Sequence, residues 1–547
     1  MENKEEIFDP SDIFSIFDEL LADIEFFKYP RLEAFLHSFR LLEAFENNVG
    51  VGNIGLDESI TLSRYIEDIK KYLIYWIYTR CLEGGNLVKT EEIHIKETIP
   101  VLQLAHKFSL LHDAVVAAQK GWMTVNFDEQ EKKINFKYKN SEKGALFFLK
   151  FFDRVNREIK SITNILQEEK NQKNLYKALN LFSNIVYITK DGELRYSTNE
   201  FIVNSFEDYI RASINQQSIL CDSWSLGPYT IGDFRSVWIQ INKLSLIHII
   251  AFVESYRKYG NYDPGFNYSI FKISRISLIK YIRKYTRLNE VIISEILQDL
   301  TYDYSIPHMD IIYQPLIKIN NVIFFSPNLI IKSFFDRNLQ VLLSKLPHRK
   351  SEYHRLKNLK EGKMINDLAP YLEKFKFGFK DRIILREKGK IKTDIDLLVW
   401  DERYKDFLII QLKWFYGPDS TQELFNHDQQ FNEAIRKTKN CIKYMQYKIN
   451  EVIKNLKLPN VKEKKNIYGI ILSKMGTPSP YIEDPYFPII EEADFIDLLK
   501  NSSGNVTKLY NSILDLCESK KRMENVKVAE VRLGVGDYIF ILPVVEY

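Results

Sequence analysis

Apolar residues in the first part of the chain recur at three- and four-residue spacing. Ile13, Ile16, Phe17, Leu20, Leu21 and Ile24 form one series, and Tyr72, Leu73, Trp76 and Ile77 another; this is the rhythm of one helix face. From Pro10 to Gly84 the pattern predicts helix packed on helix. After a break at Gly84-Gly85-Asn86, a helical run extends from about Val101 to Lys120. The alternation Lys133-Ile134-Asn135-Phe136-Lys137-Tyr138 then reads as a strand, and Gly144 to Lys170 returns to helical spacing. Val186-Tyr187-Ile188-Thr189 and Leu194-Arg195-Tyr196 flank Lys190-Asp191-Gly192, the signature of a hairpin with an Asp-Gly turn. A loop around Trp224 leads into a helix from about Ile231 to Tyr259. A second hairpin, from Ile311 to Phe325 across Asn320-Asn321, precedes a helix from about Ser326 to Leu346. No fixed-period repeat is visible.

Pro347-His348-Arg349-Lys350 interrupts this order. We therefore expect a mainly α-helical region with small β elements over residues 1–340, divisible into about 1–170 and 171–340, and a separate domain over 341–547. Leu356, Leu359, Met364, Leu368 and Leu372 predict one long helix or two, with Pro370 kinking or dividing the run. A strand at Arg382-Ile383-Ile384-Leu385 follows, then two apolar runs, 394–400 and 408–414. A helix from about Gln429 to Leu456 and a strand at Ile467–Leu472 come next. The order is α-β-β-β-α-β, and Pro488-Ile489-Ile490 with a helix from Ala493 to Leu499 extends it at the edge.

The two apolar runs carry the chemistry. In Asp394-Ile395-Asp396-Leu397-Leu398-Val399-Trp400, strand alternation puts both aspartates on one face. In Leu408-Ile409-Ile410-Gln411-Leu412-Lys413-Trp414, Gln411 and Lys413 likewise share a face. The polar linker Asp401–Asp406 is short enough for an antiparallel hairpin. Pairing the runs gathers carboxylate, amide oxygen and ammonium around one point, a pocket for a divalent cation and a phosphate. A solvated hairpin face would explain the same letters. Against it, Leu397-Leu398-Val399 and Leu408-Ile409-Ile410 read as strands buried on both faces, where charge is costly unless paired.

At these residues the chain resembles the PD-(D/E)xK nuclease superfamily, and within it the Mrr-like restriction endonucleases, whose metal-binding Glu is often a Gln. Asp396 matches the essential Asp, and Gln411 with Lys413 the QxK strand; the resemblance covers roughly the last two hundred residues. It implies an α/β restriction-endonuclease-like C-terminal domain and a Mg²⁺-dependent DNA endonuclease, Mn²⁺ substituting. Metal ligation would come from Asp396, the Gln411 side-chain oxygen, the Leu412 backbone carbonyl and a Glu on the first core helix. Glu361 is the best-placed candidate for that Glu and Glu352 the second, although Lys360 stands where the family has an aromatic residue. The catalytic set is then Asp396, Gln411, Lys413 and Glu361, with Asp394 in an accessory role or holding a second ion. Defence by restriction or against viruses in bacteria or archaea is implied with it.

Composition refines this picture. With 547 residues and 45% hydrophobic content, the chain can build about two to four domains. A net charge of +3 excludes a uniformly basic coat, so any nucleic-acid surface is local. Arg349 to Lys392 holds 14 lysines and arginines against 6 acidic residues, beside the motif. Lys390, Lys392 and a helical stripe of Arg436, Lys439 and Lys443, with Lys437 next to it, are the candidate phosphate contacts. Trp414, Phe415 and Tyr416 read as core, with base stacking as the alternative.

Cys81, Cys221, Cys441 and Cys517 are scattered, which argues for a reducing cytosol without disulfides or structural zinc. His106 and His112 lack ligand partners. The acidic N-terminus has no signal-peptide character, and the longest apolar run, Leu244 to Val253, is too short to span a bilayer. Nucleotide-binding motifs and a serine nucleophile elbow are absent. The expectation is a cytoplasmic protein acting on DNA, with RNA open, and no membrane role. Two active sites for two strands imply a homo-oligomer, or a protein partner engaged by the N-terminal region. The competing readings are a nucleic-acid-binding module with a degenerate nuclease fold and an interaction scaffold.

Overall fold

The structure, a computed structural model, describes residues 9–51, 56–84, 95–144, 146, 169–189, 194–197, 200–259, 269–387, 390–403, 405–418, 420–459, 465–482, 487–520 and 527–546. The chain is mixed α/β and divides into two compact units. One comprises Asp12–His112 and Asn156–Arg355; the other comprises Met1–Ser11, Asp113–Val155 and Leu356–Tyr547. The second unit therefore takes a segment from the first third of the sequence, which a linear division at 340 does not provide. Strand pairing accounts for the exchange: β1 (Met123–Asp128) and β2 (Lys133–Tyr138) form a hairpin. A C-terminal strand, Tyr538–Glu546, then runs parallel to β2, with Ile539, Phe540 and Ile541 opposite Lys133, Ile134 and Asn135.

The first unit is mainly helical. Its helices are α1 (Asp12–Ala22), α2 (Arg31–Val51), α3 (Leu56–Arg80), most of α4 (Ile95–Gln119), α5 (Glu169–Ser183), α6 (Glu200–Gln217), α7 (Ile231–Tyr259), α8 (Arg275–Thr286), α9 (Glu290–Asp299), α10 (Pro327–Lys332) and α11 (Phe335–Lys345). The hairpin expected at 186–196 is present as β3 (Val186–Ile188) and β4 (Leu194–Tyr196), its Asp-Gly turn lying outside the described residues. So does almost all of the helix expected from Gly144 to Lys170. The later hairpin is shorter than its apolar run: β6 (Ile317–Ile319) and β7 (Val322–Phe325) pair, and β5 (Phe271–Ser274) joins β7. The single helix expected from Ser326 to Leu346 is two, because Ser333 and Phe334 are extended. The break lets Leu329 and Ile330 bury on one helix and Phe335, Leu339 and Leu342 on the next.

Within this core Lys70 is fully buried between Glu43 and Glu46, 2.8 Å from the latter, and also bonds Ser326. Buried charge at that depth is tolerated because it is paired and hydrogen-bonded. Helix α7 is, among the described residues, the one helix long and apolar enough to cross a membrane, and 67% of its most apolar stretch is buried inside the protein.

The second unit holds the motif strands. Helix α12 (Lys350–Lys374) runs unbroken through Pro370. It leads into a five-stranded sheet of order β12-β11-β10-β9-β8. Strands β8 (Gly378–Glu387), β9 (Lys390–Trp400) and β10 (Asp406–Lys413) are antiparallel neighbours in sequence. Helix α13 (Thr421–Asn455) then crosses to β11 (Asn466–Ser473), parallel to β10, and β12 (Ile489–Glu491) adds in parallel. Helices α14 (Glu492–Ser502) and α15 (Val506–Ser519) and the hairpin of β13 (Lys527–Val535) with β14 (Tyr538–Glu546) complete the unit. The expected α-β-β-β-α-β order is thus present.

Strand β10 is central, and Phe407, Leu408, Ile409 and Ile410 are each 0% exposed, as are Leu397, Leu398 and Val399 on β9. Each such side chain contributes roughly 1.5–3 kcal/mol, which makes the sheet a rigid platform for whatever its strand ends carry. One glycine sets how closely α13 lies on it: a Cβ on Gly469 of β11 would fall 2.4 Å from Thr438 Cγ2 and 2.9 Å from Ile442 Cδ1. Gly469→Ala is expected to cost about 1–3 kcal/mol by overpacking, read as a lower urea midpoint. Adding Thr438→Ser, which deletes the opposing methyl, should recover part of the loss; an alanine variant as stable as the parent would contradict this packing.

Candidate active site

Strands β9 and β10 pair in register from Trp400 opposite Phe407 to Leu397 opposite Ile410, and the ladder ends there. Continuing it would set Asp396 opposite Gln411. The strands part instead, and side chains take over the bonding. The Leu412 N–H donates to Asp396 Oδ2 at 2.8 Å, and Gln411 Nε2 donates to the Asp394 carbonyl at 3.2 Å. Because N–H and C=O of one strand residue point to the same side, the Leu412 carbonyl also faces this gap. On the other side β10 stays bound to β11, Lys474 N–H donating to the Lys413 carbonyl at 2.8 Å.

Lys437 of α13 closes the gap. Its Nζ lies 2.8 Å from Asp394 Oδ2 and 3.0 Å from Asp396 Oδ1, so both aspartates do present their carboxylates to one point. The helix is fixed there by a buried stripe of Ala434, Thr438, Cys441 and Met445. Cys441 adds a bond from Sγ to the Asp394 carbonyl at 3.3 Å. Burial opposes the charge on Lys437, but Asp396 and then Asp394 more than offset it and hold the ammonium above its ordinary range.

Lys413 and Glu361 belong to the same electrostatic cluster. Burial pushes the Lys413 ammonium below its ordinary range; Asp396 pulls it back up, while Lys437 lowers it further. Burial likewise pushes the Glu361 carboxyl up, and repulsion from Asp396 adds to it, against attraction from Lys413, Lys437 and Arg382. Arg382 lies between the Asp381–Leu397 and Ile383–Ile395 pairs of the β8–β9 register, where its left-handed φ of 50° leaves one position out of the pairing. Its guanidinium packs on α12, where a Cβ on Gly362 would come within 2.9 Å of it.

Asp396, Gln411, Lys413 and Glu361 are therefore brought together. Glu352 instead bonds Ser351 in the first turn of α12. Lys390, Lys392, Arg436, Lys439 and Lys443 are all exposed, Lys439 lying over the Phe487 ring. Trp414, Phe415 and Tyr416 are buried, Phe415 stacking on His427, so they belong to the core. None of the four cysteines is in a disulfide, and His106 and His112 pack among Tyr65, Tyr72 and Phe108.

Sequence reasoning placed Lys437 only beside a basic stripe, and left out Arg382. The signal for Lys437 was its position at the border of the buried stripe of α13. Arg382 carried none, since its placement depends on a local backbone kink.

A divalent ion would find Asp396 and the Leu412 carbonyl here, with Glu361 near, while Gln411 would have to turn its amide, whose Nε2 now donates to the Asp394 carbonyl, to offer its oxygen. Hard oxygen donors of this kind suit Mg²⁺. The Lys437 ammonium, touching two carboxylates at once, now supplies the positive charge at this point. Among the described residues no group of three or more His, Cys, Asp or Glu side chains forms a cage by itself, so backbone, amide and water would supply the remaining ligands.

Compared with models of protein families, with curated proteins and with solved structures, the chain matches none.

The raised Glu361 carboxyl has a consequence for stability. Below the unfolded value near 4.5 the group is protonated in both states and has no effect. As pH rises above it, the unfolded chain ionises first, so stability is lost progressively up to the folded value. In metal-free buffer Glu361→Gln should melt like the parent at pH 4 and a few degrees above it at pH 8. Equal melting at both pH values would contradict the assigned burial.

Proposed function

We propose that this protein is a divalent-metal-dependent DNA endonuclease with a PD-(D/E)xK-type active site. The observation that carries this reading is the parting of β9 and β10, which brings the Asp396 carboxylate, the Leu412 carbonyl and Gln411 to one gap beside the half-buried Lys413. The order of α12, β8, β9, β10, α13 and β11, with a mixed sheet, supports the nuclease-type core.

When bound, Mg²⁺ would lower the pKa of a coordinated water and neutralise charge on the scissile phosphate. Asp396, held in place by the Leu412 N–H, would be the central ligand. Gln411 and the Leu412 carbonyl would complete the protein side, and Glu361 would be the further carboxylate available to the ion. Lys413 orients the attacking water and stabilises the negative charge that develops on the phosphate. A glutamine in place of glutamate removes one negative charge, so metal demand is expected on the order of millimolar. The exposed Lys390, Lys392, Arg436, Lys439 and Lys443 would track the phosphate backbone.

The same reading extends to a cytoplasmic defence role, with the mainly helical unit receiving the target, a partner protein or a second copy.

A second reading, a DNA-binding module that has lost catalysis, draws support from Gln411 and from the engagement of both aspartates by Lys437. Cleavage of plasmid, single-stranded DNA and RNA in Mg²⁺ or Mn²⁺ separates the two. The parent should cut DNA, and Asp396→Asn and Lys413→Met should each lose about 10²–10³-fold or more while retaining salt-sensitive binding. Binding by the parent without cutting favours the second reading. Unchanged cutting by both variants rejects the site, and cutting of RNA alone corrects the substrate.

A further inference from the structure

We infer that Lys437 is the resident counter-cation of this site and that a divalent ion can bind Asp396 only by displacing it. The inference rests on the metal-site reading above and goes beyond it, since it concerns what sets metal affinity. Asp396 has two oxygens. Oδ2 is committed to the Leu412 N–H at 2.8 Å, and Oδ1 holds Lys437 Nζ at 3.0 Å. The ammonium therefore lies at the oxygen a metal would use. Its second bond, 2.8 Å to Asp394 Oδ2, fills the other carboxylate that faces the same point.

Chance contact by a rim lysine would not look like this. The Lys437 side chain is 30% exposed, and its backbone is fixed by the next residue and by the turn that follows. Thr438 packs against Gly469, where a Cβ would come within 2.4 Å. Cys441, one turn on, contacts both Thr393 Oγ1 and the Asp394 carbonyl at 3.3 Å. The helix cannot withdraw, so only the flexible four-carbon stem can move. A dication and an ammonium at neighbouring positions on one carboxylate repel each other. Metal entry therefore releases the Lys437 head while its stem keeps it at the mouth of the gap, where an incoming phosphate would meet it. Lys437 is in this sense a positioning residue, ordering metal before nucleic acid.

The test is Mn²⁺ binding to the full chain without nucleic acid, followed calorimetrically, with thermal unfolding alongside. Lys437→Met should bind Mn²⁺ at least tenfold tighter than the parent and melt lower in chelator, the deficit closing when Mn²⁺ is added. Lys437→Arg, which keeps the charge, should bind no tighter than the parent. Lys437→Gln supplies the same comparison should the Met variant fail to fold. Asp396→Asn should abolish binding in every background. Parent binding that depends on Asp396 but is unchanged or weakened in both neutral variants overturns the displacement role and leaves the metal site standing. Absence of Mn²⁺ binding in parent and neutral variants alike, or binding indifferent to Asp396→Asn, overturns the metal site and this inference together.

Discussion

The bond from the Leu412 N–H to the Asp396 carboxylate replaces the next rung of a β-ladder, and the site is built around that replacement. Two strands that pair to the end leave no room between them. Here β9 and β10 pair through Leu397 and Ile410 and then separate, so a carboxylate, a carbonyl and an amide occupy the opening. Separation alone would strand backbone donors in a half-buried place. The aspartate side chain satisfies one of them and is itself immobilised, which is how local backbone geometry becomes a fixed charge at a strand end.

Electrostatics explain why such a cluster is not a stability device. Asp394, Asp396 and Glu361 gather with Lys413, Lys437 and Arg382, and burial works against charge on Glu361, Lys413 and Lys437. Burial and repulsion by Asp396 raise the Glu361 carboxyl, and burial depresses the Lys413 ammonium. Perturbed groups of opposite sign gathered at one strand end are the arrangement on which the proposed chemistry rests. The stability that offsets them comes from the apolar interior of the same sheet, where the C-terminal end of β9, Leu397–Trp400, and nearly all of β10 are buried. Gly469 then lets α13 approach closely enough to deliver Lys437.

The motif half of the fold was legible because each strand is a nearly unbroken apolar run ending in polar letters, and each helix has its own period. The convergence of Asp396, Gln411 and Lys413 followed from strand alternation and element order, whereas Glu361 on a helix was reached only through the family resemblance. What escaped was non-local. Residues 123–138 pair with a strand some four hundred positions later, and no local periodicity encodes that partnership. The split between α10 and α11 was hidden because both halves carry apolar residues at helical spacing, with only Ser333 and Phe334 extended between them. Arg382 entered the cluster through a left-handed backbone position within β8, for which an arginine gives no advance sign.

In a crystal of the full chain grown with Mn²⁺, anomalous scattering locates the metal independently of any activity. A metal between the parted strands, about 2 Å from an Asp396 oxygen and the Leu412 carbonyl, is the expected result. An Asp396 carboxylate still held by Lys437, with metal bound elsewhere or nowhere in the gap, would contradict it.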